Sequence, residues 1–255
     1  MRQTCQRAGL PSPRFVQINS REDLVKAAWH VGFPAVLKPV QGASSFDVFR
    51  VESLDALRGR YEAILNQREM QHRDTPFNSG DRDESWLVWQ RGLTMVLEEY
   101  LDGDEYDIDC LLSDGELVYA SVTGEKPQPM MIETGARLPA LCPVEHETAL
   151  IDMAQKTLKV LGYTDGVFHV EAKYTARGPR LIEVNARMGG GPIHLMNRQV
   201  WGVDLIEQYL LTSLGLPISP PQARATNLSL IRHSGRTVYG YCHPRRFSRP
   251  SEPSS

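Results

Sequence analysis

The sequence predicts an α+β protein of two lobes that contains an antiparallel sheet. Three strand-like segments, 94–101, 105–112 and 117–124, follow one another with only tight turns between them. This arrangement favours an antiparallel meander. Residues 68–92 lack any periodicity, and so long an irregular stretch in a compact domain favours a boundary between two lobes.

The first lobe is predicted to begin with an extended segment after the prolines of LPSPRF. Ser20 is a favourable N-cap residue with Asp23 three positions on, so a helix is expected from Ser20 to about Val31. The remaining elements of this lobe are, in order, a strand at 34–38, the small-residue loop QGASS, a strand at 47–51 and a helix at 54–66.

In the second lobe, residues 146–161 carry apolar side chains at the spacing of one helix face. Two strands, 165–174 and 180–185, flank the turn TARGP, and a glycine-rich segment then leads to a helix near 203–213. The segment ATNLSLIRHSG is compatible with one more strand, and the polar, proline-rich tail beyond it is expected to be disordered. The predicted divisions are 1–9 (remnant of a preceding subdomain), 10–92 (small lobe), 93–217 (large lobe) and 218–255 (atypical tail).

Composition excludes several classes of function. A net charge of −3 without a basic cluster argues against nucleic acid as a partner. No apolar run approaches the roughly 18 residues that span a bilayer, so no membrane partner is expected. The four cysteines are far apart, which argues against a zinc site or a disulfide framework and favours the reducing cytosol. A homo-oligomer is left open.

The pair of strands around TARGP carries a distinctive polar face. Alternation places His169 and Glu171 on one face of the first strand, and Glu183 and Asn185 on one face of the second. If the hairpin is centred on Arg177, Glu171 pairs with Glu183 and His169 pairs with Asn185. Two opposed carboxylates repel each other unless a cation lies between them, and oxygen ligands of this kind suit Mg²⁺.

Strict alternation also makes predictions for the apolar residues of the second strand. It places Leu181 on the polar face with Glu183, and Ile182 and Val184 on the opposite face, toward a core. The alternative is an exposed strand edge whose charges are solvated separately, and the spacing alone leaves both interpretations open.

A family resemblance favours the metal site. The run HVEAKYTARGPRLIEVNARMGGG resembles the metal-binding segment of the ATP-grasp superfamily of carboxylate–amine ligases. Three upstream segments resemble other parts of that family, in the family's order. The start of the central subdomain resembles LPSPRF, and the lysine strand with its phosphate loop resembles FPAVLKPVQGASS. The adenine hinge with the ribose-binding strand resembles MVLEEYLDGDEYDIDCLL. The resemblance covers about residues 10–215. It implies an ATP-grasp fold, in which two α+β lobes with antiparallel sheets grip ATP.

The resemblance implies a role for individual residues. Lys38 is expected to bind phosphates, although a strand-end lysine at the surface is the alternative, and Glu105 is expected to accept from the ribose hydroxyls. Asp107 and Asp109 continue along the same face, which could instead be a solvent-facing strand face. The other expected ATP contacts are the phosphate loop (Gly42, Ala43, Ser44, Ser45) and the adenine hinge (Glu98, Glu99, Tyr100, Leu101).

The same resemblance assigns the reactive centre. Glu183 would bridge two Mg²⁺ ions, or Mn²⁺, with Glu171 and Asn185 each completing one, and His169 would be a packing neighbour. Arg187 would stabilise the reacting acyl group, with a surface ion pair as its alternative. Lys126 would reach the γ-phosphate or the acceptor site. The expected substrate contacts are Glu133, Arg137 and Gly190.

Two long runs, EEYLDGDEYDIDCLLSDGELVYASVTGEKP and EVNARMGGGPIHLMNRQVWGVDL, are most similar to the carnosine-forming ATP-grasp ligases. This implies that β-alanine and L-histidine are joined at the cost of ATP. Only nine residues precede LPSPRF, and the resemblance ends near 217–235, so a truncated form is expected. The alternatives are a nucleotide-binding fragment without activity and a ligase for other amino acids.

Overall fold

The computed structural model describes residues 1–41, 45, 47–74, 94–125, 135–220 and 229–232. The helices are α1 (Arg2–Arg7), α2 (Asp23–Val31), α3 (Leu54–Asp74), α4 (Val144–Val160), α5 (Ile193–Trp201) and α6 (Leu205–Ser213). The strands are β1 (Phe15–Ile18), β2 (Ala35–Pro39), β3 (Phe49–Val51), β4 (Met95–Glu99), β5 (Asp104–Ser113), β6 (Glu116–Glu125), β7 (Gly135–Leu138), β8 (Gly166–Thr175), β9 (Gly178–Asn185) and β10 (Ser229–Arg232).

The described chain divides into two units: residues 13–101, and residues 1–12 together with the chain from 102 onward. The first unit contains an antiparallel sheet of order β1-β4-β2-β3, covered by α2 and α3. Its core includes Ile18, Leu37 and Leu97, all fully buried. Leu37 lies directly opposite Leu97.

Strand β4 lies in this first unit, although the predicted boundary at 92/93 assigns it to the large lobe. It pairs with β1 and with β2, so the unit extends to Leu101. The predicted three-stranded meander is therefore wrong for its first strand, and of its three strands only β5 and β6 pair with each other. The first turn of α2 also differs from prediction. The helix begins at Asp23, whose Oδ2 atom accepts from the backbone nitrogens of Asn19 (2.9 Å) and Ser20 (3.1 Å). Ser20 therefore donates to the side chain of the first helical residue, and it is not the N-cap of the helix.

The second unit contains an antiparallel sheet of order β10-β7-β6-β5-β8-β9. One face packs against α4 through a core that includes Ile108, Leu158 and Val170. A separate cluster, with Leu111, Met196 and Val200, contains the buried apolar side chains of α5. The segment predicted as a remnant forms α1, and its Cys5 is fully buried in the α4 core.

Three elements of this unit are absent from the sequence prediction: α1, β7 and α5. The sequence RQTCQR of α1 has one buried apolar residue and no period. In α5 the apolar face is interrupted by Asn197, which is fully buried. Strand β10 lies inside the predicted tail and pairs with β7, as the segment ATNLSLIRHSG allowed.

Residues 68–74, predicted to be irregular, continue helix α3. The rest of the predicted boundary segment and the tail from residue 236 lie outside the described residues. Among the helices that the structure describes, none is long and apolar enough to cross a membrane. Cys110 is fully buried, and this burial raises the pKa of its thiol.

Candidate functional site

The register of β8 and β9 brings the predicted metal ligands together. Glu171 lies directly opposite Glu183, and His169 lies directly opposite Asn185. Asn185 Nδ2 donates to Glu171 Oε1 at 3.1 Å, so the amide and one carboxylate are in contact. Glu183 is exposed, whereas Glu171 and Asn185 are half-buried. The predicted pairing is confirmed.

A β-bulge produces this pairing. Near the turn, Thr175 pairs with Gly178 and Ala172 with Leu181, one residue out of step with the Glu171–Glu183 pair. Ile182 is the extra residue that shifts the register. The bulge also moves Leu181 to the other face: predicted on the polar face, it is 1% exposed and packs in the α4 core with Ala172. Val184 packs against the same core, as predicted.

Two aspartates of β5 lie on the same face as Glu171, because Asp107 pairs with Glu171 and Asp109 with His169. They are 3% and 0% exposed, so the interpretation as a solvent-facing strand face is wrong. His169 Nδ1 lies 3.0 Å from Asp109 Oδ1, and His169 Nε2 lies 3.6 Å from Asp107 Oδ2. His169 is thus an ion-paired residue behind the ligand pair.

The charges around His169 favour its protonated form. Burial by itself lowers the pKa of this imidazole. The hydrogen bond with Asp109 and the charges of Asp109, Asp107 and Glu171 outweigh burial and raise the pKa to about 10. A cation paired with two buried carboxylates therefore lies next to Glu171 on β8.

The glycine-rich loop after β9 contacts both members of this ion pair, His169 and Asp109. Gly189 N donates to Asp109 Oδ1 at 3.3 Å. A Cβ atom on Gly189 would lie 2.8 Å from Ile193 Cγ2 and 2.9 Å from His169 Nδ1, closer than real contacts allow. At Gly190, by contrast, no atom lies within 4 Å of such a Cβ position. Gly189 is required by packing, a role that the sequence pattern did not distinguish from substrate contact.

We expect Gly189→Ala to lower the free energy of unfolding by about 1–3 kcal/mol, because the added methyl overpacks against His169 and Ile193. Gly190→Ala is the matched control and should change stability by less than about 0.5 kcal/mol. Chemical denaturation of both variants measures this difference. Equal stability of the two variants would contradict the packing role.

In the first unit, Lys38 Nζ forms an ion pair of 2.8 Å with Glu98 Oε2. The Glu98 side chain is only 6% exposed, so it is not a solvated strand-end acid. Glu99 Oε2 pairs with Arg14 Nε at 3.3 Å, and the Arg50 guanidinium lies 4.2 Å from the centre of the Tyr100 ring. Leu101 is buried. Two of the predicted ATP contacts, Lys38 and Glu98, are thus brought into direct contact.

The remaining predicted residues are not all brought together. Glu105 Oε2 lies 3.6 Å from Lys173 Nζ on the strand face that carries Asp107. Arg187 is exposed in the loop after β9, where its Nη1 atom donates to Met188 O at 2.9 Å. Arg137 pairs with Gly124 of β6, so it lies on the face of the sheet that does not carry Glu171. Ser45 has φ of 54°. Gly42, Ala43, Ser44, Lys126 and Glu133 lie outside the described residues.

The donor set of Glu171, Glu183 and Asn185 fits Mg²⁺. All three offer hard oxygen atoms, and the two carboxylates are directly opposed across the ladder. Within the described ranges, no three Asp, Glu, His or Cys side chains converge to hold an ion by themselves. Such a site leaves coordination positions for phosphate oxygens and water, which is how Mg²⁺ is commonly bound.

Comparison with known proteins shows the family of the chain. The family model described as "ATP-grasp domain" matches residues 31–194, and the chain belongs to this family. Carnosine synthase 1 of Gallus gallus is 34% identical over 222 residues, which is 84% of this chain and 23% of that protein. The L-arginine-specific L-amino acid ligase of Bacillus subtilis is 24% identical over 237 residues, 89% of this chain and 52% of that protein.

The fold of the solved L-amino acid ligase from Bacillus licheniformis is also similar, with a TM-score of 0.66, 22% identity, and coverage of 90% of this chain and 50% of that one. The predicted α+β ATP-grasp fold is therefore confirmed. The chain spans about a quarter of the length of the carnosine synthase that it matches.

Proposed function

We propose that this chain acts in an ATP-dependent carboxylate–amine ligase that joins β-alanine to L-histidine and releases ADP and phosphate. The observation that carries the proposal is the register that opposes Glu171 to Glu183 and adds Asn185 beside them. Similarity to carnosine synthase 1 over most of this chain supports the choice of substrates.

Glu171, Glu183 and Asn185 would hold two Mg²⁺ ions, with Glu183 shared between them; Mn²⁺ has the same ligand preference. Bound Mg²⁺ supplies charge neutralisation of the triphosphate and alignment of the in-line transfer. Glu183 is the most exposed of the three, which suits a ligand that meets a diffusing Mg²⁺–nucleotide.

The chemistry needs two bond exchanges. A carboxylate oxygen of β-alanine attacks the γ-phosphorus, the bond between that phosphorus and the β–γ bridging oxygen breaks, and ADP leaves. The α-ammonium of histidine first loses a proton to solvent, and the neutral amine then attacks the acyl carbon. The carbon–oxygen bond to phosphate breaks, and the nitrogen releases its second proton to the departing phosphate. The Arg187 guanidinium is the group proposed to stabilise negative charge on the acyl phosphate and on the tetrahedral oxygen.

We assign binding of the nucleotide phosphates to Lys38 and the phosphate loop 42–45, and binding of the ribose to Glu105. Lys38 already lies among charged groups, since Glu98 holds its ammonium at 2.8 Å. That contact limits the rotamers of a long, flexible side chain, which lowers the entropy cost of phosphate binding.

Lys38→Met is expected to weaken ATP binding by about tenfold or more, since a charge-assisted contact worth roughly 1.5–3 kcal/mol is lost. Lys26→Met, a change at an exposed position of α2, should leave the affinity within about twofold. Isothermal titration with Mg²⁺–ATP measures both. Unchanged affinity in Lys38→Met would remove Lys38 from the site.

The proposed activity is tested by incubating the purified chain with ATP, Mg²⁺, β-alanine and L-histidine while ADP and dipeptide are measured. ADP release that requires both amino acids supports the proposal. Release that requires other amino acids supports the second candidate, an L-amino acid ligase, which the similarity to the Bacillus subtilis enzyme favours. Binding of ATP without turnover would show that this chain alone is not the catalyst.

A further inference from the structure

The loop of residues 186–192 joins β9 to α5 and carries Arg187. We propose that Asp109 is a positioning residue that holds this loop, and with it Arg187, in the conformation needed for reaction. The inference rests on the proposed function, because Arg187 acts on the acyl group only there. Asp109 itself lies in the middle of β5 and is fully buried.

Asp109 collects donors from three separate elements. Its Oδ1 atom accepts from His169 Nδ1 of β8 at 3.0 Å and from Gly189 N of the loop at 3.3 Å. Its Oδ2 atom lies 3.4 Å from Asn197 Nδ2 of α5. A carboxylate with this many donors has its orientation determined, and a charged acceptor makes each bond stronger than a neutral one.

Asn197 fixes the carboxylate from the far side. Its Oδ1 atom accepts from Ser121 Oγ at 2.7 Å and from the Tyr119 hydroxyl, both on β6. Its Nδ2 atom also donates to Ile193 O at 3.0 Å, within the first turn of α5. The network therefore ties the start of α5 to the central strands, and the loop is held at its end as well as at Gly189.

Packing restricts the loop in the same place. Gly189 is buried, and its backbone lies against the His169 ring and Ile193, with no space for a Cβ atom. The loop cannot move closer to the sheet, and moving away breaks the bond to Asp109. Arg187 is two residues from this fixed point, and its guanidinium is exposed.

The ligands for Mg²⁺ are held in a different way. Glu171, Glu183 and Asn185 are positioned by the β8–β9 ladder and its bulge, not by Asp109. Loss of the Asp109 contact should therefore misplace Arg187 while leaving the ligands in register. A misplacement of about 1 Å near a reacting group can cost on the order of 100-fold in rate.

The test compares Asp109→Leu, which removes the acceptor, with Asp109→Asn, which keeps an oxygen that Gly189 N can reach. Gly189→Ala is included because it disturbs the loop while the carboxylate stays, in case Asp109→Leu does not fold. Glu116→Gln, at an exposed position at the start of β6 and outside this network, is the control. Hydrogen–deuterium exchange of residues 186–192 and amino-acid-dependent ADP release are measured on each.

In Asp109→Leu and Gly189→Ala we expect faster exchange in the loop and a fall in kcat of about 10- to 100-fold, with KM for ATP within about threefold. Asp109→Asn should retain most of the loop protection and most of kcat, and Glu116→Gln should match the wild type. Faster exchange in the loop without a loss of kcat would overturn the proposal. It would also be overturned if kcat and KM changed together in proportion to the loss of thermal stability in every variant, because that result indicates a general loss of structure. If the wild-type chain shows no turnover with any amino acid, the proposed function fails, and exchange alone decides whether Asp109 holds the loop.

Discussion

Glu183→Gln is expected to reduce ligase turnover by about 100-fold or more while the fold is retained. Glu183 lies directly opposite Glu171, and its carboxylate is the one ligand proposed to be shared by both ions. A neutral amide neutralises less of the Mg²⁺ charge, and a loss of roughly 3 kcal/mol in the transition state corresponds to about 100-fold in rate.

The stability of this variant separates catalysis from folding. Glu183 is exposed, and without metal its negative charge is repelled by the like charge of Glu171 directly opposite. Replacing it with a neutral amide should therefore leave the free energy of unfolding unchanged or slightly higher. Glu116→Gln, at an exposed position at the start of β6, is the matched control and should retain full activity. Turnover is measured as ADP and dipeptide formed, and stability by chemical denaturation. Wild-type turnover in Glu183→Gln would exclude the metal assignment.

His169→Leu is expected to cost about 3–5 kcal/mol of stability, which is typical of a buried ion pair that loses one partner. The imidazole is 7% exposed at its side chain and lies 3.0 Å from the fully buried Asp109. Removing it leaves the Asp109 and Asp107 carboxylates close to each other without their cation, in surroundings that solvate charge poorly.

Two further variants make this test specific. His30→Leu changes an exposed histidine of α2 and should alter stability by less than about 0.5 kcal/mol. Adding Asp109→Asn to His169→Leu removes one uncompensated negative charge and should recover part of the lost stability. The effects of the two substitutions on the free energy of unfolding should therefore be non-additive in a double-mutant cycle. The single variant Asp109→Asn completes the cycle, and denaturant titration measures the free energy of unfolding of each variant and of the wild type. A loss below about 1 kcal/mol in His169→Leu would contradict a charged pair at this position.

Much of the candidate metal site follows from local patterns. Alternation in HVEAKY places His169 and Glu171 on one face, and the composition of that face indicates oxygen ligands for Mg²⁺. The pairing of Glu171 with Glu183 is also predicted by centring the hairpin on Arg177. In the structure, the register next to the turn differs by one residue from the predicted one, and the bulge at Ile182 restores the pairing of Glu171 with Glu183.

Three predictions are wrong, each for a different physical reason. Leu181 is assigned to the wrong face because a bulge leaves no mark in a hydrophobic pattern. Asp107 and Asp109 resemble solvent-facing residues because alternation tells which face a side chain lies on, but not whether that face is covered. Strand β4 is assigned to the wrong unit because sheet pairing with β1 and β2 is a contact between distant parts of the chain.

The sequence by itself determined the family, the order of the motifs and the pairing of Glu171 with Glu183, because these depend on residue type and short spacing. Only the tertiary structure decided that His169 is an ion-paired residue, that Gly189 is required by packing and that Arg137 lies on the opposite face of the sheet. Each of these depends on side chains brought together from distant segments. Burial and charge pairing arise from that assembly, and no local pattern of residues encodes them.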